Sequence, residues 1–140
     1  MQVVITGPLV GTDRAAVISF LRAEGYAQSI HVADCIYAAW SGSEVVGAVR
    51  LAPEHGVTVL RGMRVRSDLR RKCIGSSLLN RLAEVLGEQN CYCIPYSWLV
   101  GFYGQIGFEV ARPNQVPAFL AERYADYVQR GLDVAVMVRK

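Results

Sequence analysis

The chain has no long apolar run. Its hydrophobic stretches are short and repeatedly interrupted by charges or glycines, so none reaches the roughly 18 residues that span a bilayer. No cationic segment precedes the apolar residues of the opening MQVVITGP. That stretch reads as a strand and not as a secretory signal, and the cytosol is the expected location. Histidine is scarce: His31 and His55 stand alone in distant segments and give cysteine no partners for a metal site. The four cysteines, Cys35, Cys73, Cys91 and Cys93, do not make the disulfide framework of small secreted domains. Cys91 and Cys93 flank one residue of an expected strand, so both sulfurs face one side. They read as buried free thiols, and no metal is expected. Repeats, linkers and low-complexity segments are missing too.

What is present describes a folded globule. At 140 residues, 52% hydrophobic and 19% charged, the chain is expected to form one domain over 1–140 with a sizeable core. The net charge of +3 is mild, but it is clustered. Six of the fifteen Lys and Arg fall between Arg61 and Lys72, offset only by Asp68. Clustered charge of one sign points to an anionic partner.

Periodicity and turn residues predict eleven elements in the order β-α-β-β-β-α-β-α-β-α-β. Val3 to Ile5 is a strand stopped by Gly7-Pro8. Thr12 is the expected N-cap of a helix with Ala16, Val17, Phe20 and Leu21 on one face and Gly25 past its end. Cys35–Trp40 and Val45–Leu51 form a hairpin around 41–44. A longer strand, Val57–Val65, follows the turn at 53–56. Ile74, Leu78, Leu82, Val85 and Leu86 make the buried stripe of a helix ending near Asn90. Then come the strand Cys91–Ile94, a brief helix over Leu99–Gln105 and the strand Phe108–Ala111. A helix opened by Pro117 and closed by Gly131 and a last strand, Asp133–Val138, complete an α+β sheet of mixed strand directions.

The segment Val57 to Leu79 carries the strongest functional signal. An apolar strand leads into three consecutive cations, a glycine follows, and a helix opens with two serines. A helix N-terminus has unpaired N–H groups and the positive end of a dipole, so such a junction is a ready anion site. The cluster therefore points to a phosphate-bearing ligand. Glycine at 62 inside the strand marks a bulge or a close backbone approach.

The loop Arg70-Arg71-Lys72-Cys73-Ile74-Gly75, with the later Phe102-Tyr103-Gly104-Gln105-Ile106-Gly107-Phe108-Glu109, resembles the GNAT superfamily of acyl-CoA-dependent N-acetyltransferases. Both signatures stand in the family's order, and the element order matches over essentially the whole chain. Arg70 and Gly75 fit the loop pattern Gln/Arg-x-x-Gly-x-Gly/Ala, whereas Cys73 replaces its first glycine. The resemblance implies a sheet of about seven strands with helices on both faces and strands 4 and 5 splayed into a cleft. It also implies acetyl-CoA as acetyl donor, an amine acceptor and no metal. A homodimer is common in the family, but nothing in this sequence marks an interface.

Coenzyme A carries a pyrophosphate that needs converging donors. Backbone amides from Arg71 to Ser76, spanning Lys72, Cys73, Ile74 and Gly75, supply them in this reading. The dipole of the helix adds about 0.3–1 kcal/mol, Gly75 allows close approach, and the Arg70, Arg71 and Lys72 side chains meet the phosphates. Main-chain groups near Met63 and Val65 would bind the pantetheine arm like an added strand and donate to the oxyanion. Tyr103 falls on the family's tyrosine. A phenol of pKa about 10 keeps its proton at neutral pH and can give it to the leaving thiolate.

The base is less well marked. An alkyl ammonium of pKa near 10.4 costs about 4–5 kcal/mol to deprotonate at pH 7. Many relatives use a glutamate on this strand, which here has no carboxylate. Glu54 and His55, just before it, are the nearest candidates, with a water chain or an amine of low pKa as alternatives. Arg61 and Arg64 should point to opposite faces by alternation, one of them toward the acceptor, which disfavours polycationic acceptors. Tyr96 stands where many relatives have an asparagine reaching the cofactor. Cys73, a thiol at a helix N-terminus among cations, is either reactive or a small residue in place of glycine. A catalytically silent acyl-CoA sensor is the alternative to the enzyme. A nucleic-acid-binding domain ranks last because no aromatics are interleaved with the cations.

Overall fold

In the computed structural model, which describes residues 2–140, the strands are β1 (Val4–Thr6), β2 (Cys35–Ser41), β3 (Glu44–Glu54), β4 (Val57–Val65), β5 (Cys91–Cys93), β6 (Glu109–Val110) and β7 (Met137–Arg139). The helices are α1 (Gly11–Ala23), α2 (Ile74–Leu86), α3 (Val100–Gly104) and α4 (Ala118–Gln129). The expected order of elements is the observed one. One mixed sheet runs β1-β2-β3-β4-β5-β7-β6, antiparallel throughout except where β4 meets β5.

Alternation along the central strands builds a core on each face. Ile36 and Ala38 of β2 and Ala48 of β3 pack with Val17 and Leu21 of α1. Tyr37, Ala39, Val49, Leu51 and Leu60 face the other way, onto Ile74, Leu78, Leu79, Leu82 and Leu86 of α2 and onto Tyr103, Ile106 and Phe108. Gly47 is small for a reason: a Cβ there would sit 3.1 Å from Ile74 and 3.2 Å from Leu78.

Several boundaries differ from the sequence expectation. The first turn of α1 closes two residues early, with the Arg14 N–H bonded to the Val10 carbonyl. Val10, not Thr12, is the N-cap, and no side chain caps it. α2 stops at Leu86, because Gly87 takes φ +53°, and does not reach Asn90. Val85, expected on the buried stripe, is 45% exposed. The last strand starts at Met137, four residues later than expected; before it only Val134 pairs, in an isolated bridge to Tyr96.

Two features of β4 make the cleft. It touches β5 only through Thr58 opposite Cys91 and Val59 opposite Tyr92, so from Leu60 onward the two strands part. This is the splay of strands 4 and 5. β4 also bulges: Ala48 pairs with Arg64 but Arg50 with Arg61, so Gly62 and Met63 together oppose Val49. Gly62 has φ +69°, and a Cβ there would lie 2.8 Å from the Tyr26 ring and hydroxyl. Both reasons for a glycine hold at this position.

Candidate active site

The bulge decides which side chains line the cleft. By simple alternation Arg61 and Arg64 would face opposite sides, but the extra residue returns both to the α1 side. Arg61 Nη2 donates to Gln28 Oε1 at 2.5 Å, and the Arg64 guanidinium lies 5.2 Å from the Tyr26 ring centre. The expectation of opposite faces is therefore corrected. Leu60, Met63 and Val65 pack against the α2 core. A cavity of about 260 Å³ opens where β4 leaves β5, lined by Arg61 to Arg64, Cys93 to Tyr96, Tyr103, Tyr26 and, from α4 and its end, Arg123, Tyr127 and Arg130.

Behind this wall lies a buried network. Arg50 and Asp34 form an ion pair with side-chain exposures of 2% and 3%. Arg50 Nε donates to the Tyr26 hydroxyl at 3.1 Å, as does Nη2, and the guanidinium lies 5.4 Å from the ring centre. The Asp34 carboxylate also accepts from the His31 N–H at 3.0 Å. No fully buried side-chain nitrogen or oxygen among the described residues lacks a partner, as burial of charge demands. The network fixes Tyr26 against the bulge.

Tyr103 is held edge-on between Phe102, 5.0 Å away, and Phe108, 6.1 Å away, and it lines the cavity. Burial pushes its phenol well above the ordinary tyrosine value; Cys93 adds to this and the Arg64 charge opposes it. The group stays protonated and has no hydrogen-bond partner among the described residues. It is a free donor. Cys91 and Cys93 are buried free thiols, the former pushed up to about 12 by burial.

Beyond the end of β4, Ser67–Leu69 forms a 3-10 turn and the chain then turns twice through the left-handed region, at Arg71 (φ +72°) and Cys73 (φ +63°). Left-handed residues of this kind are a common ingredient of backbone anion nests. Ser77 is the first residue bonded back to Cys73, and no side chain caps α2. Among the described residues the N–H groups of Arg71, Cys73, Ile74, Gly75 and Ser76 have no acceptor. The Arg70, Arg71 and Lys72 side chains are exposed. The smallness of Gly75 has a packing cause: a Cβ would meet the Phe102 ring at 3.0 Å. The two sequence signatures thus touch each other.

Along β4 the Arg66 N–H bonds to the Val46 carbonyl on the β3 side. By alternation the Val65 N–H points the other way, into the gap. Arg64 Nη1 donates to the Met63 carbonyl at 3.0 Å.

Neither base candidate reaches the cleft. Glu54 is held by Arg123 at 2.6 and 3.2 Å, with Arg61 at 3.6 Å. Burial pushes its carboxyl up, but Arg123, Arg61 and Arg50 outweigh that and leave it below the usual value. His55 is exposed with φ +48° and packs 4.4 Å from Phe119. Tyr96 does line the cleft, stacked on Trp98 at 4.6 Å. The sequence reading missed Tyr26, Gln28, Arg123, Tyr127 and Arg130. The last three recur at i, i+4 and i+7, a one-face signal that was there to be read; Tyr26 carries no such mark.

The sequence profile described as the acetyltransferase (GNAT) family matches residues 13–108. No curated protein matches in sequence. Among solved structures, Escherichia coli ElaA is similar over 99% of this chain and 100% of its own, at 15% identity and TM-score 0.70. Arabidopsis thaliana Naa50 in complex with the bisubstrate analogue CoA-Ac-MVNAL matches over 100% of this chain and 99% of its own, at 18% identity and TM-score 0.69. PaiA N-acetyltransferase from Thermoplasma acidophilum in complex with coenzyme A matches over 100% and 99%, at 15% identity and TM-score 0.65. What these three share with the chain is the fold.

Proposed function

Because the chain belongs to the acetyltransferase (GNAT) family, we propose that it moves an acetyl group from acetyl-CoA to a primary amine by direct attack. One observation carries this reading: five N–H groups of the 71–76 turn have no acceptor among the described residues, and Gly75 of that turn packs against Phe102, the neighbour of the Tyr103 that lines the cleft. The pyrophosphate sits on those amides, with Arg70, Arg71 and Lys72 around it. The pantetheine arm lies along the unpaired edge of β4, at Met63 and Val65. Two of the similar structures hold coenzyme A or an analogue of it, which supports the same ligand here.

The nitrogen lone pair attacks the thioester carbonyl carbon and forms the C–N bond. The oxyanion accepts from a β4 amide. Collapse breaks the C–S bond, and the thiolate takes the Tyr103 proton, which solvent replaces. The nitrogen loses its own proton to water, since no carboxylate lines the cleft. That same absence favours a second reading, a regulatory module that holds acyl-CoA without turnover. Measuring kcat and coenzyme A affinity for Tyr103→Phe separates the two. Lost turnover with intact affinity supports the enzyme, and a native protein that acetylates no amine supports the module.

A further inference from the structure

The acceptor side of the cleft is built from cations. Arg61, Arg64, Arg123 and Arg130 line it and no carboxylate does. Glu54 occupies Arg123 and lies 3.6 Å from Arg61. Arg130 has only an exposed pair to Asp126 at 2.7 Å. Arg64 differs from all three. It is partly buried and, among the described residues, has no carboxylate within 4 Å. Its guanidinium leans on the Tyr26 ring and spends one donor on the Met63 carbonyl, leaving the rest of its fork free. A partly desolvated guanidinium without a counter-ion gains most from an anion that binds in a bidentate fashion.

Resting on the transfer reaction above, we propose that the acceptor is a small amine carrying its own carboxylate, docked on Arg64. Arg64 and Tyr103 line the same cavity, so anchor and reacting centre share one small space. The spacer between carboxylate and amine is therefore short, as in an α-amino acid. A cavity of about 260 Å³ suits an acceptor of that size. The arrangement also eases the missing base: nearby guanidinium charge disfavours the ammonium form, so more of the bound amine is neutral and nucleophilic. Polyamines carry only positive charge into this wall, and a peptide N-terminus lacks the carboxylate.

The test follows thiol release from acetyl-CoA with free L-amino acids, their α-carboxamides, their decarboxylated amines and spermidine. Free amino acids are expected to exceed their amides in kcat/KM by about 30-fold, the scale of a charge-assisted hydrogen-bond pair. Arg64→Gln should shrink that ratio to about 3-fold, chiefly through KM, and Arg64→Lys should restore part of it. If Arg64→Gln does not fold, calorimetry on the native protein with CoA decides instead. An N-acetylated amino acid should bind at least about 10-fold tighter than its amide. Equal or better use of amides, amines or spermidine overturns this proposal and leaves acetyl transfer standing. No turnover of any amine, with acetyl-CoA shown to bind, overturns the transfer reading and this one with it.

Discussion

The six cations between Arg61 and Lys72 look alike in sequence and separate in the fold. Arg61 and Arg64 enter the cleft, where the Tyr26 ring, the Gln28 amide and the Met63 carbonyl position their heads. Arg66 is tied at the surface to Asp68 at 2.7 Å and Glu44 at 3.0 Å. Arg70, Arg71 and Lys72 stand exposed with no ion pair among the described residues, over a turn whose main chain carries the free N–H groups. In the proposed reading, one region would work through side chains held by burial and the other through the backbone, with exposed side chains adding positive charge. Substitutions should therefore hurt the cleft and be tolerated in the loop.

The largest contrast concerns the network behind the cleft. Arg50→Met leaves Asp34 buried without its partner, and such losses cost about 3–5 kcal/mol. Chemical denaturation should register that loss, whereas Arg70→Met should be close to neutral. Next comes chemistry. Tyr103→Phe should lower kcat about 100-fold with unchanged coenzyme A affinity, the usual worth of a positioned acid. Because burial raises the Tyr103 pKa, kcat should show no descending limb below pH about 10, the ordinary tyrosine value; a descending limb that disappears in Tyr103→Phe would contradict this.

The Glu54–Arg123 pair sits lower on the scale, at about 1–3 kcal/mol for a hydrogen bond between charged groups. The folded-state pKa of Glu54 lies below its unfolded value, so its contribution is present above the unfolded pKa of about 4.3. It is lost as pH falls through the depressed folded value. The stability gap between the native protein and Glu54→Gln should close in that acid range and stay constant at neutral pH. Smallest is the loop itself. Single changes of Arg70, Arg71 or Lys72 to Gln should weaken coenzyme A binding only about 2- to 5-fold, the scale of exposed charges. Titration calorimetry checks this, and a loss of about 100-fold from any one of them would erase the distinction between the two regions.

The same distinction explains what could be read in advance. Element order followed from local pattern: the alternation of β2 and β3, the stripe of α2, and the glycines and prolines between them all agreed with the tertiary fold. So did the Arg70–Gly75 turn and the Phe102–Phe108 signature, which lie on contiguous stretches. The cleft was harder, because it is assembled from residues distant in sequence. Period-2 alternation gave Arg61 and Arg64 opposite faces, and one inserted residue at Gly62 put them on the same one. Glu54 and His55 were near the site in sequence, but Arg123 on α4 holds the first and Phe119 packs on the second. The sequence expectation gives the small size of Gly75 to the phosphate, whereas the structure shows a packing reason for it in the Phe102 ring.

Backbone amide shifts of nitrogen-15-labelled protein, followed during titration with coenzyme A, test the central claim most directly. The account predicts large downfield shifts at Arg71, Cys73, Ile74, Gly75 and Ser76 as their N–H groups gain phosphate acceptors. Saturation of the protein by coenzyme A with those five amides unmoved would contradict it.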